Sequence, residues 1–70
     1  MTTSNFRLWR RSIGATQADV AVKMGISLSY LSILERGKRL PGAQLLAAWK
    51  DALQELEAVA LKSREEARHG

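Results

Sequence analysis

Only three residues, Gly25-Ile26-Ser27, separate two short stretches of helical apolar periodicity, and no other feature narrows the fold as far. A connection this brief forces the flanking helices, Gln17–Met24 and Leu28–Arg36, to cross steeply instead of lying side by side. A close crossing needs a small residue inside the first helix, and Ala21 supplies it. The turn needs a residue that accepts positive φ, and Gly25 supplies that. The crossing also needs apolar side chains facing inward. Val20, Met24, Ile26, Leu31 and Leu34 stand at those positions. The spacing predicts a helix-turn-helix unit over residues 17–36.

The rest of the chain is also helical in period. Phe6, Trp9 and Ile13 recur at three and four residues and predict a first helix, with Ser4 or Asn5 as its N-cap and Gly14 as its stop. Thr16 caps the next helix, with Asp19 placed to complete a capping box. Ser27 caps the third helix and Gly37 stops it. A basic turn, Lys38-Arg39-Leu40-Pro41-Gly42, follows. From Ala43 a long helix carries Leu45, Leu46, Trp49, Leu53, Leu56, Ala60 and Leu61. Positions 46, 49, 53, 56 and 60 alternate three and four, like a coiled-coil seam. No strand pattern stands out, so the fold is expected to be all-α, a single domain over 1–70 whose C-terminal helix runs from 43 to 66. The polar tail from Lys62 to Gly70 is expected to fray.

With 70 residues there is room for one core, and a core of this size rarely contributes more than about 3–5 kcal/mol. A partner surface is therefore expected. The chain has no cysteine, hence no disulfide framework and no thiolate metal site. No apolar run is long enough to span a bilayer and no secretory signal is visible, so a cytoplasmic location is expected. The net charge of +4 is unevenly placed. Residues 1–42 hold seven basic side chains against two acidic ones, and residues 43–70 hold four against five. A basic half attracts polyanions, by long-range attraction and by counterion release.

At this point the sequence resembles the phage-repressor and Cro type of helix-turn-helix protein, the XRE family. Gly14-Ala15-Thr16-Gln17-Ala18-Asp19-Val20-Ala21, Met24-Gly25-Ile26-Ser27 and Tyr30-Leu31-Ser32-Ile33-Leu34-Glu35-Arg36-Gly37-Lys38-Arg39-Leu40-Pro41 carry the resemblance, which covers about residues 5–53. It implies a five-helix, lambda-repressor-like DNA-binding domain, usually a dimer on a near-palindromic operator. This chain departs from the pattern in its apolar Leu28 and Ile33, where polar readers are common, and in the long helix after Trp49.

A helical wheel of the third helix puts Leu31 and Leu34 on the core side. Ser29, Ser32, Ile33 and Arg36 face away, Leu28 and Tyr30 flank, and Glu35 sits near the core edge. Ser27, Ser29, Ser32 and Ile33 are candidate base readers, since hydroxyls bond base edges loosely and apolar groups pack on thymine methyls. Leu28 either meets such a methyl or covers a patch against the first helix. Tyr30 either offers its hydroxyl to a phosphate or covers the core. Arg36, Lys38 and Arg39 are candidate phosphate contacts. The resemblance implies that Gln17 bonds a phosphate and steadies a neighbouring reader. It also implies that Arg10 and Glu35 form an ion pair tying the first helix to the reading helix.

Leu53, Leu56, Val59 and Ala60 are the candidate dimer interface, because their stripe outruns what a small core can cover. The leading expectation is a homodimeric, sequence-specific repressor or autoregulator of a phage, plasmid or mobile element, acting on duplex DNA without cofactor or metal. The alternative is an interaction module that keeps the fold and binds another protein through the long helix. Enzyme chemistry has little support: the sole histidine, His69, lies in the tail, and Glu65 and Glu66 diverge on their helix.

Overall fold

Local chemistry sets most of the helix ends in the computed structural model, which describes residues 3–69 and the side-chain surroundings of residues 5–66. The helices are α1 (Thr3–Ser12), α2 (Gln17–Met24), α3 (Leu28–Glu35) and α4 (Ala43–His69). Gly14, at φ 73°, turns the chain out of α1. Thr16 caps α2: its hydroxyl accepts from the Asp19 N–H at 3.0 Å, and Asp19 Oδ2 accepts from the Thr16 N–H at 3.0 Å. Gly25, also at φ 73°, ends α2 with its N–H directed at the Ala21 and Val22 carbonyls. Gly37 does the same work after α3, where Arg36 is the C-cap. Ser4 and Asn5, expected as the N-cap of α1, lie within its first turn, because the helix already begins at Thr3.

The described residues form four helices and no strand, in place of the five helices that the resemblance implies. The reason is in the sequence of α4. Neither glycine nor proline occurs between residues 43 and 69, so nothing breaks the hydrogen-bond ladder into two shorter helices. The helix consequently also passes the expected end at 66.

Phe6 of α1, Val20 and Ala21 of α2, Leu31 and Leu34 of α3, and Trp49, Ala52 and Leu53 of α4 are the buried core. Phe6 and Trp49 pack in a tilted pair, with ring centroids 4.8 Å apart and ring planes at 39°. Met24 and Ile26 pack at the rim of this cluster, half-buried. α4 lies across α1 and α2, and α3 packs against those same two helices.

Two contacts mark the place where α4 leaves the body. Trp9 Nε1 donates to Glu57 Oε2 at 3.0 Å, and Lys23 pairs with Glu55 at 3.3 Å. Beyond Glu57 the helix is exposed through Glu66 except for half-buried Ala60. At about 1.5 Å per residue, the 27 residues of α4 account for nearly all of the 43 Å long axis.

This geometry corrects one expectation for α4. Leu53 is completely buried, so it belongs to the core of its own chain and cannot form part of a dimer surface. It shares the face of Trp49, which α1 and α2 cover. Leu61 is 53% exposed, since it lies on the part of α4 that projects beyond the body and about 140° round the helix from Leu56.

The capping box has a pH signature. The backbone N–H of Thr16, and then its hydroxyl, hold the Asp19 carboxyl below its ordinary value. A carboxylate lowered by folding stabilises the fold above its unfolded pKa of about 3.9, and the contribution fades as pH falls through the lower folded value. The stability difference between the natural chain and Asp19→Asn is therefore expected to be constant near neutrality and to shrink below about pH 4. Urea titrations across that range check this, and a pH-independent difference would remove the carboxylate from the cap.

Candidate nucleic-acid interface

The tight turn between α2 and α3 presents the start of α3 to solvent. Ile26 N–H bonds the Ala21 carbonyl at 3.1 Å, which closes the turn. Exposed Ser27 then caps α3, its Oγ accepting from the Tyr30 N–H at 3.1 Å. With Leu31 and Leu34 buried, helical geometry leaves Leu28, Ser29 and Ile33 facing out. Leu28 is 50% exposed and Ile33 36%, and Ser29 between them is exposed. Leu28 therefore does not serve as a buried patch against α1. Tyr30 is half-buried with its ring against the core. Ser32, expected to face away from the core, is half-buried as well.

Glu35 departs most from the helical wheel. The wheel places it near the core edge, yet it is 4% exposed, because α1 and α2 close over that edge. Its carboxylate accepts from Arg10 Nε at 2.7 Å, from Arg10 Nη2 at 3.1 Å and from Gln17 Nε2 at 3.0 Å. Arg10 Nη1 also reaches the Ala15 carbonyl at 3.0 Å. The forked guanidinium and an amide together supply the donors that a buried carboxylate needs. One residue thus ties α1, α2 and α3 together. The bond from Gln17 has no signature in the sequence, because it spans 18 positions and follows no local period.

Arg36 is folded back along α3. Its Nε donates to the Ser32 carbonyl at 3.3 Å and its Nη2 to Ser32 Oγ at 3.2 Å. Lys38 and Arg39 are exposed in the following turn. Between Asp19 and Asp51 the only carboxylate is Glu35, buried and paired. The exposed end of α3 is accordingly a cationic rim beside a neutral surface of Leu28, Ser29 and Ile33. Such a rim attracts phosphates, and such a surface can approach base edges without charge repulsion.

Among the described residues no group of histidine, cysteine, aspartate or glutamate could hold a metal ion, and no helix is long and apolar enough to cross a membrane. Of the remaining expected interface residues, Leu56 is partly buried and packs against the core, Val59 is 63% exposed and Ala60 is half-buried.

Comparison with known proteins agrees with this geometry. The sequence model of a family described as a helix-turn-helix domain matches residues 5–68. An uncharacterized HTH-type transcriptional regulator of Archaeoglobus fulgidus is 45% identical over 51 residues, which is 73% of this chain and 22% of the relative. One from Sinorhizobium fredii is 53% identical over 38 residues, or 54% of this chain and 49% of the relative. The HTH-type regulator YazB of Bacillus subtilis is 43% identical over 47 residues, 67% of this chain and 68% of the relative. The chain thus spans 22% and 49% of the length of the first two relatives. No solved structure matches it.

Proposed function

The chain belongs to the helix-turn-helix domain family, and from that premise we propose that it is a transcriptional regulator that binds duplex DNA as a homodimer and represses from a near-palindromic operator. The observation that carries the reading is the exposed face of α3 beside Arg36, Lys38 and Arg39, with the one nearby carboxylate buried. In this reading α3 lies in the major groove, with Ser27, Leu28, Ser29, Ser32 and Ile33 at the bases. Gln17, Tyr30, Arg36, Lys38 and Arg39 lie towards the backbone. The chain acts by binding, and blocking the polymerase is the mode of control. In this reading it is an autoregulator of a phage, plasmid or mobile element.

The projecting half of α4 supports the dimer. Val59 and Ala60, with the outer edge of Leu56, extend the apolar face that α1 and α2 cover lower down. A second copy would bury that face, and two-fold pairing would set the reading helices about 34 Å apart, one turn of duplex. Val59→Glu is expected to yield a folded monomer, since Val59 takes no part in the core. Sedimentation that still shows a dimer would place the interface elsewhere.

A gel shift with the DNA upstream of its own gene, against random duplex at moderate salt, tests the main reading. Preference for the upstream DNA is expected, and equal binding to both would count against a sequence-specific regulator. A dimer with no affinity for any duplex would favour an interaction module built on α4.

A further inference from the structure

Three polar groups beside α3 that could make bidentate base contacts are already occupied. The Gln17 amide donates to Glu35, the Arg10 guanidinium donates to Glu35 and to the Ala15 carbonyl, and Arg36 donates twice to Ser32. Ser32 Oγ accepts one of those bonds and is half-buried. The side chains left free on the outward side of α3 are two exposed hydrocarbons, Leu28 and Ile33, and the single hydroxyl of Ser29.

Exposed aliphatic side chains in a reading helix have one favourable partner in the major groove, the 5-methyl group of a pyrimidine. Contact with a protein or a second copy of the chain is disfavoured by the surroundings. Cations border this surface and no exposed carboxylate lies near it in sequence, which matches a phosphate-lined groove.

We propose that the α3 surface recognises pyrimidine 5-methyl groups, with Leu28 and Ile33 each covering one, so that specificity rests on methylation of the pyrimidine ring instead of on its hydrogen-bonding edge. The inference rests on the DNA-binding reading above and adds the chemical feature read. It predicts that thymine is distinguished from uracil, which differs from it only by the methyl group. It also predicts that 5-methylcytosine at a contacted position binds better than cytosine. Cytosine methylation would then strengthen the complex, where a reader bonded to the cytosine amino group would gain nothing from it.

The experiment uses the full chain and duplexes enriched from a random pool. Each thymine of an enriched site is replaced by uracil in turn, and each cytosine by 5-methylcytosine. Burying one methyl contributes about 0.8 kcal/mol, so a contacted uracil is expected to weaken binding about fourfold. Leu28→Ala or Ile33→Ala should abolish the loss at its own position, while Lys38→Ala should weaken every duplex and leave the loss intact. Leu28 and Ile33 lie outside the core, so both alanine variants are expected to keep their helical circular dichroism. If uracil binds as well as thymine at every position, or if the enriched sites lack thymine at the contacted positions, the proposal is overturned while DNA binding stands. If no duplex is enriched at all, the DNA-binding reading itself fails, and the methyl proposal with it.

Discussion

Glu35→Ala is expected to leave most of the protein unfolded. The side chains of Glu35 and Arg10 are only 1% and 12% exposed, so removing the carboxylate strands a guanidinium in a desolvated site and deprives the Gln17 amide of its acceptor. Breaking a buried pair from one side costs about 3–5 kcal/mol, mainly because the surviving charge has no partner. The core of a domain this small contributes about the same amount in total. Urea denaturation followed by circular dichroism measures the loss. A cost below about 1 kcal/mol would show that Arg10 finds other partners or reaches water. The double variant Arg10→Met/Glu35→Leu separates charge from shape. It removes both ions and keeps apolar volume, and it is expected to recover much of the stability lost in Glu35→Ala.

The triple variant Arg36→Ala/Lys38→Ala/Arg39→Ala is expected to bind all duplexes more weakly, on the order of a hundredfold at low salt, with little change in their ranking. Each lost phosphate contact should lower the slope of log K against log salt by about 0.9, so the triple variant should lose roughly two to three units of slope. Anisotropy titrations across a salt series read both quantities. An unchanged slope would take these three side chains off the phosphate backbone. Among the three, Arg36 should matter least, because reaching a phosphate requires it to give up its bonds to Ser32.

Features carried by neighbouring residues are legible in the sequence alone. The Thr16/Asp19 capping box, the Ser27 cap, the stops at Gly14, Gly25 and Gly37, and the inward positions of Val20, Ala21, Leu31 and Leu34 follow from local dihedral preference and helical period. The surroundings of a side chain at the edge of a helix face are not legible in this way. Glu35 and Tyr30 stand at similar angles from the core direction of α3, yet one is fully buried and the other is not. The difference is made by α1 and α2, which close over the Glu35 side and bring Arg10 and Gln17 with them. In the same way, periodicity marks Leu53 and Leu56 as one stripe, but only the position of α1 and α2 decides that the first is core and the second is rim.

By itself the sequence determined the all-helical character, the steep turn at Gly25, the unbroken run of α4 and the basic first half, because each depends on contiguous residues or on charge count. The tertiary structure alone decided that Glu35 joins three helices, that Arg36 lies back on Ser32, that Trp9 anchors to Glu57, and that Leu28 stands open to solvent instead of against α1. These outcomes depend on how helices cross, which sets the partner of each side chain. Period and propensity describe each helix along its own axis and carry no information about which neighbour covers its flank.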